Sequence, residues 1–306
     1  YEVLALGRRQ KTAGDTDYRS FDLKAGDLPE EIFRGADIVI HGAALLSSDF
    51  TAKREDFYKV NVLGTGKILR ASLMAGVKLF IFISSAHVHA PADVCVDEES
   101  PYTEKPSLYD WSKIEAEKAV RLFCRENNLP FVIIRFGQLY GPGMIYGWPK
   151  VFRAIERRRF FVLGAGQGTI QPLYMDDALQ AIKLCAERQA AENKIFIVAG
   201  REKITLRDLF FKMAEFIGAE KIKTLPFWPV YLISAALKLI PAFLKTESIG
   251  LLTPRNVRMF KEKRCYNTDK ISRIGFTPIF FLDSGLKNTI EWYKKYDAGS
   301  RTSNGV

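Results

Sequence analysis

Sulfur and imidazole are scarce in this chain of 306 residues. Its four cysteines, Cys95, Cys124, Cys185 and Cys265, are scattered, and no two show the close spacing of a zinc knuckle. The three histidines, His41, His87 and His89, complete no ligand set with them. The expectation is no metal site, and cysteines that are the reduced thiols of a cytoplasmic protein. Repeats and low-complexity blocks are missing, which leaves no basis for a solenoid or a disordered array. No signal peptide is visible, and the chain does not open with Met. Its first residues already read as a strand, so the beginning reads as truncated. One run only, residues 225–244, approaches the length of a membrane span. Pro226, Pro229 and Pro241 confine any helix there to about residues 230–240, too short to cross.

What is present suits a soluble globular chain. Hydrophobic residues make up 47% of it, enough for a large core in one large domain or two smaller ones. Lys and Arg number 45 against 35 Asp and Glu, a net charge of +10. A basic balance suits anionic partners such as a phosphorylated cofactor or an anionic membrane surface, or serves general solubility. Nucleic acid is not among the expected partners.

Residues 1–6, 36–41, 78–83 and 130–134 are nearly continuous apolar runs, as expected of parallel strands buried on both faces. Residues 57–75 and 109–127 between them have helical periodicity. The alternation predicts an α/β fold with a doubly wound parallel sheet over residues 1–140. After about residue 140 glycine and proline punctuate the chain and helices dominate, with isolated strand-like runs such as 194–199. This predicts a smaller lobe over 141–296, with some segments returning to the first domain, and a frayed polar tail over 297–306.

One spacing carries chemistry. Tyr109 and Lys113 lie four apart on a predicted helix and share a face. A phenol has a pKa of about 10, and a neighbouring cation favours the phenolate, so the pair can exchange protons with a substrate hydroxyl. The same spacing recurs at Tyr146/Lys150, where Trp148-Pro149 disfavours a regular helix, and at Tyr266/Lys270, in a polar stretch before Gly275. Only the first pair opens a long amphipathic helix. It also has a partner in Ser85, 24 residues upstream at the carboxyl end of a predicted buried strand, where ligands of open α/β sheets bind.

Several segments together resemble the extended short-chain dehydrogenases, a family of nucleotide-sugar epimerases and dehydratases with a 3β-hydroxysteroid dehydrogenase branch. They are VIHGAA (39–44), NVLGTGKIL (61–69), FISSAHVHA (82–90), IRFGQLYGPG (134–143), PLYMDDAL (172–179) and the late 266–293 stretch. The resemblance implies a Rossmann-type domain and a substrate lobe, with Tyr109 as general acid/base. Lys113 would bind the nicotinamide ribose and lower the tyrosine pKa, and Ser85 would orient the substrate oxygen. It further implies Asp22 and Leu23 beside the adenine, Ala43 and Ala44 along the pyrophosphate, Ser84 among the cofactor-facing residues, Phe136 beside the nicotinamide, and His87 and Gln138 toward the substrate. Family members begin with a strand and a Gly-x-x-Gly-x-x-Gly turn that holds the pyrophosphate at a helix N-terminus; neither is present before Tyr1 or later. Where the family often has Tyr and Gly, His89 and Ala90 stand.

The family's second strand ends in an acid that binds the NAD ribose; here Gly7 is followed by Arg8 and Arg9, which favours NADP over NAD unless the arginines are merely solvated. Nucleotide-sugar members usually carry an arginine before the Val-Asp-Asp segment, and GQGTIQPLY (166–174) has none, although Arg153, Arg157, Arg158 and Arg159 precede it. With the apolar 225–244 stretch, this leads to the expectation of an oxidoreductase for a lipophilic, sterol- or isoprenoid-like alcohol or ketone. The alternatives are a nucleotide-sugar epimerase or dehydratase, and a non-catalytic NADP-binding protein. The apolar stretch also raises peripheral membrane contact. The resemblance implies a homodimer through helices 57–75 and 109–127.

Overall fold

The computed structural model describes residues 1–8, 17–24, 28–29, 31–46, 52–237 and 252–303. The chain divides into two compact units. The first holds residues 1–88, 103–134 and 185–195; the second holds 89–102, 135–184 and 196–306.

The first unit opens with β1 (Leu4–Gly7) and β2 (Asp17–Ser20), a parallel pair. β3 (Ile38–His41) leads through α1 (Arg54–Phe57), a π-helical turn (Tyr58–Leu63) and α2 (Gly64–Met74) to β4 (Leu79–Ser85). A 3-10 turn (Ala86–Val88) follows, then α3 (Leu108–Glu126) and β5 (Phe131–Phe136). β4 is buried along most of its length and β5 along all of it, as continuous apolar strands of a covered parallel sheet should be. With β10 (Lys194–Val198) they form a four-stranded sheet in the order β10-β5-β4-β3, in which β3 and β4 run parallel with His41 opposite Phe82. β2 reads DYRS, and it is largely exposed and polar, so its strand character left no apolar signal. Phe57, Leu69, Phe80, Phe82, Val120 and Phe131 lie in the core between the sheet and its helices.

The second unit contains β6 (Leu139–Tyr140), α4 (Trp148–Glu156), β7 (Phe161–Leu163), β8 (Thr169–Ile170), β9 (Leu173–Tyr174) and most of α5 (Met175–Glu187). After β10 come β11 (Ile204–Thr205), α6 (Leu206–Ile217), β12 (Lys223–Leu225), α7 (Phe227–Ala236), α8 (Pro254–Met259), α9 (Asp269–Ser272) and α10 (Leu282–Ser303). Its core gathers Trp148, Phe152, Leu209, Met213, Leu286 and Tyr293, and Tyr140 stacks on Trp148 at 4.8 Å.

Three expectations need correction. The apolar helix of this lobe starts at Phe227, earlier than the prolines suggested, because Pro226 takes its N-cap and Pro229 falls in the first turn, where proline removes no intrahelical bond; its expected end at Ile240 lies outside the described residues. The tail does not fray at Asp297: α10 runs on through Ser303, and buried Asp297 pairs with Arg153 at 2.8 Å. The cysteines are not all thiols. Cys95 and Cys265 form a disulfide, because residues 92–96 run beside 263–267, with Ala92 N–H donating to Lys263 O and Val96 N–H to Cys265 O. Cys124 and Cys185 are free and buried. No helix among the described residues is long and apolar enough to cross a membrane, and no group of three or more His, Cys, Asp or Glu among them could hold a metal ion.

Candidate active site

The site expected around Ser85, Tyr109 and Lys113 lies in the first unit, where β4 ends and α3 begins. Ser107 starts the helix: its hydroxyl accepts from Asp110 N–H at 3.2 Å, and the Asp110 carboxylate reaches back in a capping box. That cap fixes Tyr109 in the first turn, half-buried, with Lys113 one turn later on the same face. The two other Tyr/Lys spacings are not placed this way. Tyr146 lies before α4, and Tyr266 precedes the four-residue α9.

Lys113 is buried, and its ammonium donates to the carbonyl of Ile83 at 2.8 Å and sits 4.7 Å from the centre of the Phe82 ring. The helix is therefore fastened to β4 two residues before Ser85, and α3 also packs against the 3-10 turn that follows Ser85. Ser85 is half-buried, and its hydroxyl accepts from His87 N–H at 3.2 Å. Its neighbour Ser84 points into the protein and donates to a Glu117 carboxylate oxygen at 2.5 Å. Burial pushes the Lys113 ammonium down from 10.5 to about 8, while the charge of Glu117 opposes the fall. His41, opposite Phe82, is buried with Nε2 2.9 Å from the Thr65 hydroxyl. Burial first, and the Lys113 charge second, push its pKa from 6.5 down to about 3, so it is a neutral imidazole. A phenol one helical turn from a buried ammonium, with a serine at the adjoining strand end, has the groups needed to pass a proton to and from an alcohol oxygen.

Asn61, in the π-helical turn, ties the loop after β3 to α3. Its carbonyl oxygen accepts from Leu45 N–H at 2.7 Å, and its amide donates to Leu45 O at 3.1 Å and to the Ser112 hydroxyl at 2.8 Å. Ser112 in turn donates to Tyr109 O at 2.7 Å. Gly42 and Ala43 in that loop are exposed, and Ala44 is half-buried. Side chains this small on a fixed loop leave the backbone open to close approach by another group.

A model of the NAD dependent epimerase/dehydratase family matches residues 1–199. The chain belongs to that family. It is 28% identical to 3beta-hydroxysteroid-dehydrogenase/decarboxylase isoform 1 of Arabidopsis thaliana, over 96% of this chain and 70% of that protein. It is 26% identical to dTDP-D-glucose 4,6-dehydratase of Mus musculus, over 85% of this chain and 68% of the relative. Among solved structures, UDP-glucuronic acid 4-epimerase of Bacillus cereus in complex with NAD superposes with a TM-score of 0.76 at 17% identity, covering 97% of this chain and 91% of that one. The fold is thus the family's Rossmann-like α/β architecture with a C-terminal lobe, and its members are enzymes that use a nicotinamide dinucleotide.

The other residues expected from the family fall in several places. Asp22 accepts from Lys24 N–H at 2.9 Å, and Leu23 is buried against Gly64, with its side chain in the core. Arg8 is exposed just beyond β1; Arg9 lies outside the described residues. His87 is half-buried in the turn after Ser85. Phe136, buried at the end of β5, and half-buried Gln138 belong to the second unit. In that unit Arg153 is taken by Asp297 and Arg158 by Glu220 at 2.7 Å, while Arg157 and Arg159 are exposed. Sequence reasoning passed over Glu117, His41 and Thr65. The signal for Glu117 was available: a carboxylate at the next turn of the face that carries Tyr109 and Lys113.

Proposed function

We propose that the protein interconverts a secondary alcohol and a ketone on a lipophilic, sterol- or isoprenoid-like substrate, using NADP or NAD. The observation that carries this reading is the buried Lys113, fastened to Ile83 O one helical turn from Tyr109 and next to the Ser85 strand end. Bound nicotinamide supplies the hydride acceptor or donor. Gly42, Ala43 and Ala44 would hold its pyrophosphate side, and Lys113 its ribose. The Ser85 hydroxyl orients the substrate oxygen. In the oxidising direction Tyr109, as phenolate, takes the hydroxyl proton while the carbinol hydrogen leaves with its electron pair; in the reducing direction the phenol returns that proton. The Lys113 charge lowers the work of forming the phenolate.

The sterol class is favoured by the hydroxysteroid relative, which matches 96% of the chain, and by the lack of arginine in 166–174. Nucleotide-sugar epimerisation or dehydration with the same three residues is the second reading, favoured by the dehydratase relative. Arg8, exposed beyond β1, binds the 2′-phosphate of NADP. Tyr58, Leu63 and Met74, in the helical stretch from α1 to α2, and Leu122 on α3 are exposed apolar residues that suit a homodimer face. Exposed Trp228, Leu232 and Ile233 on α7, with Lys221, Lys223, Arg258 and Lys261 exposed in the same unit, suit contact with an anionic membrane surface. The deciding experiment supplies NADP or NAD with a panel of 3β-hydroxysterols, isoprenoid alcohols and UDP- or dTDP-sugars. Reduced cofactor accumulating with a lipophilic alcohol, and lost in Tyr109→Phe, supports the first reading. A changed sugar with no net reduced cofactor selects the second. A Tyr109→Phe protein indistinguishable from wild type in every assay favours a non-catalytic role.

A further inference from the structure

Glu117 has no part in that mechanism, yet it is wholly buried beside it. A carboxylate is rarely kept in a core without a compensating charge, because stripping its water is costly. Ser84 supplies one hydrogen bond, at 2.5 Å. A neutral hydroxyl does not balance a charge; the nearby opposite charge is Lys113, one helical turn earlier on the same face and electrostatically coupled to Glu117. Tyr109, Lys113 and Glu117 fall at successive turns on one face of α3, and that face meets β4 at consecutive points. Lys113 takes the carbonyl of Ile83, and Glu117 takes the hydroxyl of Ser84. The next residue is Ser85.

The remaining titratable neighbours do not substitute for it. His41 faces the lysine from β3 and is neutral. His87 follows β4 in the 3-10 turn. Arg54, on the segment packed against α3, sits over the Trp111 ring at 4.1 Å. Glu55, Asp56, Tyr58 and Lys59 share that segment, and Lys67 and Arg70 lie on α2. Glu117 is the carboxylate that acts on Lys113, and it opposes the effect of burial there.

We propose that Glu117 is a positioning residue, whose carboxylate keeps the Lys113 ammonium charged and aimed along the end of β4 and so governs proton transfer at Tyr109. The inference rests on the reading of Tyr109 and Lys113 as the proton-transfer pair.

The test is a titration that needs no turnover. In protein carrying 13Cε-labelled lysine, the Lys113 resonance is assigned by its loss in Lys113→Met and followed against pH without cofactor. Wild type is expected to titrate near 8. In Glu117→Gln the midpoint falls by about one pH unit, a tenfold loss of proton affinity, because the charge favouring the ammonium is gone. Glu117→Asp keeps the charge and recovers most of the shift. The high-pH limb of kcat/KM for alcohol oxidation moves down by the same amount in Glu117→Gln. A folded Glu117→Gln protein with an unmoved Lys113 midpoint overturns the proposal. If Glu117→Gln does not fold, Glu117→Met, which also removes the charge and fills a similar volume, is read in its place: the same downward shift supports the proposal, and an unmoved Lys113 midpoint overturns it. Failure of the underlying reading looks different. There Tyr109→Phe and Lys113→Met retain turnover, whatever Glu117 does to the lysine.

Discussion

Acid should unfold this protein through one buried imidazole. His41 is enclosed between β3, Thr65 and the Phe80 and Phe82 rings, with the Lys113 charge nearby, and its pKa falls from 6.5 to about 3. An unfolded chain binds a proton at this histidine below about pH 6.5, whereas the folded chain does not until about pH 3. Between those values the unfolded state holds more protons, so stability rises with pH and is lost as pH falls. The group's contribution is fully present above 6.5, and each unit of acidification within the window removes about 1.4 kcal/mol. From pH 7 to pH 4 the loss is about 3 kcal/mol, a large share of the 5–15 kcal/mol of a typical domain. The assay is urea unfolding at half-unit pH steps for wild type and His41→Gln, whose amide can still meet the Thr65 hydroxyl. The variant is expected to lose about 3 kcal/mol less than wild type over that range. Equal losses in the two proteins would refute the reasoning.

Other expectations follow from single contacts. Ser107→Ala removes the cap that sets the first turn of α3 and should lower stability by about 1 kcal/mol in urea unfolding; an unchanged midpoint counts against the cap. Arg8→Ala should weaken NADPH binding about tenfold in calorimetry, the loss of one charged hydrogen bond, and leave NADH binding alone; equal effects on both would remove the 2′-phosphate assignment. Leu122→Glu, on an exposed position, should turn a dimer into a monomer in light scattering, and a wild-type monomer at micromolar concentration sinks the dimer. Vesicles containing phosphatidylserine should co-float the protein, and Trp228→Ala should reduce that recovery; no flotation at low salt refutes the membrane contact.

Much of the fold could be read from the chain because the signals were local. β4 and β5 are apolar along nearly their whole length, and α3 carries its cap, its apolar stripe and the Tyr/Lys pair within twenty residues. β2 could not be read, since a short exposed strand needs no apolar residues and takes its conformation from pairing with β1. The disulfide joins residues 170 apart, a proximity that only the folded path of residues 92–96 along 263–267 creates. The start of α7 was misplaced by treating every proline as a breaker. Asp297 looked like tail until a partner on α4 was in view. At the site, Tyr109, Lys113 and Ser85 stood out by spacing, whereas His41 and Glu117 show their character only through burial. In the sequence one is the last letter of a strand, and the other a charge on a helix full of charges.

The central claim is that Tyr109 moves the proton while hydride passes between a lipophilic carbinol and the nicotinamide. The most direct measurement is single-turnover oxidation of a 3β-hydroxysterol by the full chain with NADP or NAD, followed by absorbance of the reduced cofactor, for wild type and Tyr109→Phe. The account predicts a burst of reduced cofactor in wild type that falls at least about a hundredfold in the variant. A burst of equal rate in both proteins, or no binding of either dinucleotide by calorimetry, would contradict it.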